Sequence, residues 1–146
     1  MRFKTLSGRN KPGDISPYRV DWDASCRGKS RWGKFQFGVK QFFRPFWEDH
    51  VVCEEFKCFG SACQGKKTLK IDLINLTRGI AIEANGIQHS EYVQFFHGDR
   101  NGYLEQIERD GRKVTWCELN DLELIYIYPD DELSVKFFRE RYDLIL

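Results

Sequence analysis

The segment from Leu69 to Ser90, LKIDLINLTRGIAIEANGIQHS, constrains the fold more than any other part of the chain. Its apolar residues form two short runs separated by Thr77-Arg78-Gly79, a pattern typical of two strands joined by a tight turn. One acid lies in each run, Asp72 in the first and Glu83 at the end of the second. A carboxylate inside an apolar strand is costly to bury unless it is paired or binds a metal.

Two interpretations of these acids follow from the pattern. In the first, Asp72 and Glu83 meet at a hard cation, and His89, which comes soon after the Asn85-Gly86 turn, supplies an imidazole beside it. In the second, both acids lie on the solvent-facing sides of half-buried strands, because simple alternation often produces such acids.

The flanking segments predict alternating helices and strands. Apolar residues recur at helical spacing from Arg31 to Phe43, and Pro45 is expected to end or kink this helix. A strand is predicted from Val51 to Lys57, before the central pair. After it we expect a helix over Tyr103–Asn120, a strand over Leu124–Tyr128 and a helix over Ser134–Tyr142. The apolar face of the second helix is expected to contain Leu104, Ile107, Val114 and Cys117.

This order predicts an α/β fold with a mixed central sheet of about four strands flanked by helices. The length of 146 residues fits one domain, which we place at residues 31–146, after a basic N-terminal arm over residues 1–30. Aromatic residues make up 15% of the chain, which argues against disorder. There is no apolar run of membrane-spanning length and no apolar signal core, so we expect a cytoplasmic protein without a membrane partner.

Charge is distributed unevenly along the chain. Residues 1–50 contain 11 Lys and Arg against 5 Asp and Glu, whereas residues 97–146 contain 7 against 12. The basic front half suggests a surface for a polyanion, with Arg27, Lys29 and Arg31 as candidates for contacts to DNA phosphates. The alternative is that the basic front half pairs with the acidic tail.

Three longer motifs point to a family: IDLINLTRGIAIEANGIQH, then FFHGD, then QIERDGRKVTWCELNDLELIYI. Together they resemble the very-short-patch-repair-like branch of the PD-(D/E)XK nucleases, which includes phage-encoded and homing-type endonucleases. The resemblance covers about half the chain, from Val51 to Tyr128. It implies a restriction-endonuclease-like core and a metal-dependent endonuclease that hydrolyses DNA phosphodiester bonds, acting in the cytoplasm of an infected host cell if it is phage-encoded.

The resemblance also implies roles for individual residues. Asp72 and Glu83 would hold Mg²⁺ or Mn²⁺, His89 would orient or deprotonate the attacking water, and Gln88 would hold that water or a phosphate. The helix motif of the family corresponds to Arg109, Asp110 and Lys113. Asp110 is expected to orient His89, and Arg109 or Lys113 to contact the DNA backbone.

The chain departs from the family pattern at two places. The usual Glu-x-Lys element is Glu83-Ala84-Asn85 here, and an amide at Asn85 cannot supply the positive charge of a lysine. The acid expected on the first helix has no clear counterpart. Gln36 lies near its place, and Glu54 or Glu55 on the following strand are alternatives.

The five cysteines are expected to be thiols or metal ligands, because an odd number in a chain without an export signal does not indicate a disulfide framework. Cys53, Cys58 and Cys63 form a C-x4-C-x4-C run. The family resemblance allows a structural Zn²⁺ there, but the spacing is loose, so free thiols are favoured.

Three hypotheses of function follow. The first is a metal-dependent endonuclease acting on a specific site, a mismatch, a nick or a junction, and a homodimer would suit paired cuts. The second is a catalytically inactive DNA-binding or assembly protein that keeps the nuclease fold. The third is a structural protein that binds partners through its aromatic surface.

Overall fold

The computed structural model describes residues 1–24, 31–62, 66–85 and 100–146, the side chains of residues 31, 32 and 100–103 excepted. The described strands are β1 (Arg2–Lys4), β2 (Asn10–Pro12), β3 (Val52–Lys57), β4 (Lys70–Asn75), β5 (Ile80–Ala84) and β6 (Glu123–Ile127). The described α-helices are α1 (Arg31–Trp47), α2 (Arg100–Leu119) and α3 (Val135–Tyr142).

Four of these strands form a mixed sheet in the order β3-β4-β5-β6. Strand β4 is antiparallel to both β3 and β5. Strand β6 runs parallel to β5, with Glu83 opposite Tyr126. The fold class predicted from the sequence is confirmed, since a four-stranded mixed sheet is flanked by helices on both faces. The predicted order of helix, three strands, helix, strand and helix is also present among the described elements.

Each face of the sheet has its own hydrophobic core. Ile80 and Ile82 of β5 join the core formed with α1 and α3, whereas Ala81 joins the core formed with α2. This separation follows from the alternation of side chains along a strand. The α1 face is built around stacked rings, with the centroids of Phe43 and Trp47 4.1 Å apart.

Helix α1 continues through Pro45 to Trp47, so of the two expectations for Pro45, that it ends the helix is wrong and that it kinks the helix stays a prediction. Proline removes one backbone donor, but here it lies near the end of the helix and its ring is exposed. Directly after the helix, the N–H of Glu48 donates to the carbonyl of Arg44 at 3.0 Å. The burial of Phe43 and Trp47 accounts for the extra turn, because both are fully enclosed against the sheet.

The first strands form a hairpin that packs against the α2 face. Phe3 is 3% exposed and its ring lies 5.9 Å from that of Trp116, centroid to centroid. Asn120 binds both backbone groups of Lys4, accepting from its N–H at 2.8 Å and donating to its carbonyl at 3.0 Å. The beginning of the region expected to be a basic arm is therefore joined to the end of α2.

The face of α2 that contacts the sheet differs from the predicted one. Leu104, Ile107 and Val114 are exposed, and the residues buried beneath the helix are Lys113, Trp116 and Cys117. The prediction of a face shared by Leu104, Ile107, Val114 and Cys117 is wrong for all but the cysteine. Among the described residues, no helix has both the length and the apolar content needed to cross a bilayer.

Candidate functional site

The regular pairing between β3 and β4 is interrupted at Asp72 of β4. Glu54 pairs with Leu73 and Phe56 with Ile71, which leaves Glu55 and Asp72 opposite each other between two regular pairs. Glu55 has a φ of 48°, a left-handed conformation that is uncommon for a non-glycine residue. Its carboxylate forms an ion pair with Lys70 at 2.6 Å.

Strands β4 and β5 separate at the same level. The last pair in register is Leu73 with Ile82, so Asp72 and Glu83 are the next positions on the two strands. Beyond that pair, the backbone N–H of Ala84 donates to Oδ2 of Asp72 at 2.8 Å. In a continuous ladder, a backbone carbonyl would accept this hydrogen bond. Here the side chain of Asp72 accepts it, so the carboxylate lies at the opening between the strands.

Glu83 lies on the α2 face and forms an ion pair with Lys113. The Nζ of Lys113 is 3.2 Å from Oε2 of Glu83, and the two side chains are only 11% and 14% exposed. Oε1 of Glu83 is buried and has no hydrogen-bond partner among the described residues. The site therefore contains a buried carboxylate oxygen that can still accept a proton, a donor or a cation.

Burial raises the pKa of both carboxyl groups above their usual range. The negative charge of Asp72 raises the pKa of Glu83 further, which places the two carboxylates within electrostatic range of each other. Lys113 acts in the opposite direction on both groups, since a nearby cation favours the ionised form. Two carboxylates and one lysine therefore form a single electrostatic unit.

The two other residues of the predicted helix motif, Arg109 and Asp110, lie on α2 close in sequence to Lys113. Asp110 accepts a hydrogen bond from Gln106 at 2.8 Å, and burial raises its pKa. Arg109 is exposed and donates to Gln106 at 3.1 Å. Tyr126, opposite Glu83 on β6, has a raised pKa because it is buried near the charges of Asp110 and Glu83. Lys113 points to Glu83 within the protein, whereas its predicted alternative role was a contact to DNA.

A cleft of about 630 Å³ opens between α1 and the sheet. Asp72 lines it together with Gln36 and Lys40 of α1 and the two glutamates of β3, Glu54 and Glu55. Gln36, predicted near the place of the missing helix acid, is thus brought to the same cleft as Asp72. Asp72 thus borders the cleft, and the positive charge of Lys113 also acts on its carboxylate.

The remaining predicted residues are distributed as follows. Asn85 is half-buried at the end of β5, and its backbone N–H donates to the carbonyl of Ile127 at 2.8 Å. Arg27, Lys29, Gln88, His89 and Cys63 lie outside the described residues, as does the side chain of Arg31.

The described cysteines show no zinc site. Cys53, Cys58 and Cys117 are buried free thiols. Burial raises the pKa of each, to about 12 for Cys117. Across residues 1–24, 31–62, 66–85 and 100–146, no three His, Cys, Asp or Glu side chains are grouped as metal ligands.

Two carboxylates suffice for one kind of cation site. Mg²⁺ keeps several waters and is commonly held by one or two carboxylates together with substrate phosphates. Asp72 and Glu83 supply two carboxylates in a partly desolvated place, with one oxygen unpartnered. These residues fit a divalent cation shared with a phosphate.

Sequence reasoning missed Phe37 and Arg19, two residues that line the cleft together with Asp72. Phe37 follows Gln36 directly, so its place on α1 was a usable signal. Arg19 lies in the N-terminal region and reaches the cleft through a bridge between its backbone and Cys53 of β3. No local pattern predicts that long-range contact.

Comparison with known proteins gives a single partial similarity to report. The chain is 37% identical over 66 residues to a protein of Invertebrate iridescent virus 3 that bears the name Uncharacterized protein 033L. The match covers 45% of this chain and 34% of the viral protein, so it spans about a third of that relative's length. No protein-family profile matches the chain, and no solved structure does.

Proposed function

We propose that the protein is a metal-dependent DNA endonuclease whose centre consists of Asp72, Glu83 and Lys113. The observation that supports this most is that two strand-borne carboxylates, both with raised pKa values, lie within electrostatic range of each other at the point where their strands separate. The motif resemblance to the very-short-patch-repair-like nucleases gives the reaction class, and the order of the described elements is compatible with it.

Asp72 and Glu83 are the residues that would hold Mg²⁺ or Mn²⁺. When bound, such an ion polarises the scissile phosphate and lowers the pKa of an attacking water. Oε1 of Glu83 is the free acceptor on the protein side. The raised pKa values are in keeping with a site that gains from an additional positive charge.

Lys113 supplies the positive charge that the sequence motif lacks. The family pattern has a lysine two residues after the glutamate, where this chain has Asn85. Lys113 reaches the same glutamate from α2, at 3.2 Å. In the reaction it would keep Glu83 ionised before DNA binds and offer its remaining N–H groups to a phosphate oxygen or the attacking water.

DNA would be held by the basic N-terminal region, with Arg27, Lys29 and Arg31 on the phosphates. His89 and Gln88 follow Glu83 by six and five residues in the chain and stay predictions for orienting the water. Asp110 and Arg109 belong to the helix that carries Lys113, so they can support the site from the same side.

The experiment is a cleavage assay on plasmid, mismatched and branched DNA with Mg²⁺ or Mn²⁺. Wild type should cleave at least one of these, and Asp72→Asn, Glu83→Gln and Lys113→Met should each lose activity. Glu132→Gln and Lys136→Met are matched controls, because both side chains are exposed. Cleavage by Asp72→Asn at the wild-type rate would exclude this centre.

A non-catalytic DNA-binding or assembly protein is the second candidate. The observation that favours it is the neutralisation of Glu83 by Lys113, which can stabilise the fold without any reaction. This alternative predicts tight, salt-sensitive DNA binding by the metal-loaded protein and no cleavage of any substrate.

A further inference from the structure

We propose that the cleft between α1 and the sheet receives one unpaired nucleotide of a DNA strand, next to the phosphate at Asp72. The substrate would then be DNA with an unpaired base, as at a bulge, flap or junction, in preference to continuous duplex. This inference rests on the proposed nuclease function and specifies its substrate class.

The cleft has the size of a small-molecule site. Its volume of about 630 Å³ falls in the range of roughly 300–1,000 Å³ that is typical of ligand pockets. It is concave and has Asp72 in its lining, so a group held there would be adjacent to the proposed centre. A stacked base pair inside a duplex cannot enter such a cleft, whereas a base taken out of the stack can.

One wall of the cleft is fixed by internal contacts. Lys40 donates to the carbonyl of Asp21 at 2.8 Å and pairs with Glu54 at 3.5 Å. The other oxygen of Glu54 accepts from the backbone N–H of Asp21 at 2.7 Å. These bonds attach the segment at Asp21 to both α1 and β3.

Three other residues that line the cleft have side chains without a packing or hydrogen-bonding role among the described residues. Phe37 is half-buried but belongs to neither hydrophobic core. The amide of Gln36 makes no hydrogen bond to the described residues, and the exposed guanidinium of Arg19 forms no ion pair with them. The lining of the cleft thus includes one residue with a ring that can stack on a base, one with an amide that can bind a base edge and one with a cation that can bind a phosphate.

These three chemistries together match a nucleotide better than a simple anion or an apolar ligand. Aromatic side chains bind bases by stacking, which is tolerant of sequence, and amides read base edges through paired donor and acceptor atoms. Glu54, Glu55 and Asp72 make the cleft unfavourable for an anion alone. A nucleotide with its neutral base inside the cleft and its phosphate at the rim, near Arg19, would make the base contacts and keep the negative charge away from the three carboxylates.

The test is equilibrium binding by wild type in EDTA, measured by fluorescence anisotropy. Three labelled DNAs are compared: a continuous duplex, the same duplex with one unpaired nucleotide, and a third with an abasic residue at that place. We expect wild type to bind the unpaired nucleotide at least about 5-fold more tightly than either of the others, the lower end of base–aromatic stacking.

Phe37→Ala should abolish this preference and leave affinity for continuous duplex unchanged. Phe46→Ala is the matched control, because Phe46 is an exposed ring on the same helix and does not line the cleft. Equal binding of all three DNAs by wild type, or equal preference in the Phe37 and Phe46 variants, would overturn the inference.

The two proposals fail in different ways. A retained preference for the unpaired nucleotide, without cleavage in Mg²⁺ or Mn²⁺, would reject the nuclease and keep the nucleotide cleft. Cleavage that is indifferent to unpaired bases, and unaffected by Phe37→Ala, would reject the cleft and keep the nuclease.

Discussion

The ammonium group of Lys113 lies 3.2 Å from Oε2 of Glu83, and both side chains are almost enclosed between α2 and the sheet. Each charge is therefore compensated by the other more than by water. In a desolvated pair, removing one partner leaves a buried charge that costs far more than an exposed pair would. The ion pair is thus both a support of the fold and a part of the proposed centre.

Replacing Lys113 by Met should lower the free energy of unfolding by about 3–5 kcal/mol, because Glu83 loses its buried partner. The double variant Glu83→Gln with Lys113→Met should recover a large part of this loss, since no unpaired charge is left. Urea unfolding measures both. An equal loss in the single and double variants would contradict a coupled pair, and Lys136→Met, at an exposed lysine, should be close to wild type.

The contribution of Asp72 and Glu83 to stability should fall as the pH rises through the range just above ordinary carboxyl pKa values. Burial raises the pKa values of both groups in the folded state, so the folded protein binds their protons more tightly than the unfolded chain does. What these two groups add to the free energy of unfolding is then greatest below the unfolded pKa and decreases until both have ionised. Thermal unfolding at a series of pH values should show a smaller decrease for Asp72→Asn, and an identical slope would contradict the assignment.

Phe3→Ala should destabilise the protein by about 3–5 kcal/mol, the usual cost of deleting a buried phenylalanine ring. Phe3 is 3% exposed and contacts the rings of Phe56 and Trp116. Arg2→Ala is the control at an exposed neighbouring position. Denaturant unfolding measures the difference, and a loss below about 0.5 kcal/mol, typical of surface changes, would show that the hairpin is not docked in solution.

Gly60→Ala should lower the melting temperature, whereas Gly38→Ala should leave it unchanged or raise it. Gly60 has a φ of 75°, and a Cβ there would collide with the backbone and side chain of Thr5. Gly38 lies in α1 with open space around it, where alanine is favoured by about 1 kcal/mol. The reverse order of melting temperatures would contradict this account of the contact between Gly60 and Thr5.

The sequence predicts the elements well because their signals are local. Strand β5 is marked by three consecutive apolar residues before Glu83, and α3 begins at Ser134, whose side chain accepts from the N–H of Phe137 as an N-cap does. The end of α1 was misjudged because Pro45 is a local signal, and the packing of Trp47 overrides it.

The candidate site is less predictable, since it depends on contacts between distant segments. The pattern of acids marks Asp72 and Glu83, but nothing local shows that Lys113 faces inward while Leu104 and Ile107 face solvent. Because α2 has apolar residues on two sides and a lysine between them, its sequence pattern does not indicate which side is buried. The packing of Trp116 and Cys117 against the sheet decides it, together with Glu83 on β5, which pairs with Lys113.

Asn120 binds the backbone of Lys4 at one end of the helix that presents Lys113 to the glutamate. The opening dozen residues consequently brace that lysine from a distance. Trimming them would loosen the helix at its far end and would also remove the buried ring of Phe3, so a displaced ammonium group and a loss of stability would come together. A shortened version that stays soluble but no longer cuts DNA would therefore say little about whether its amino-terminal residues touch the nucleic acid.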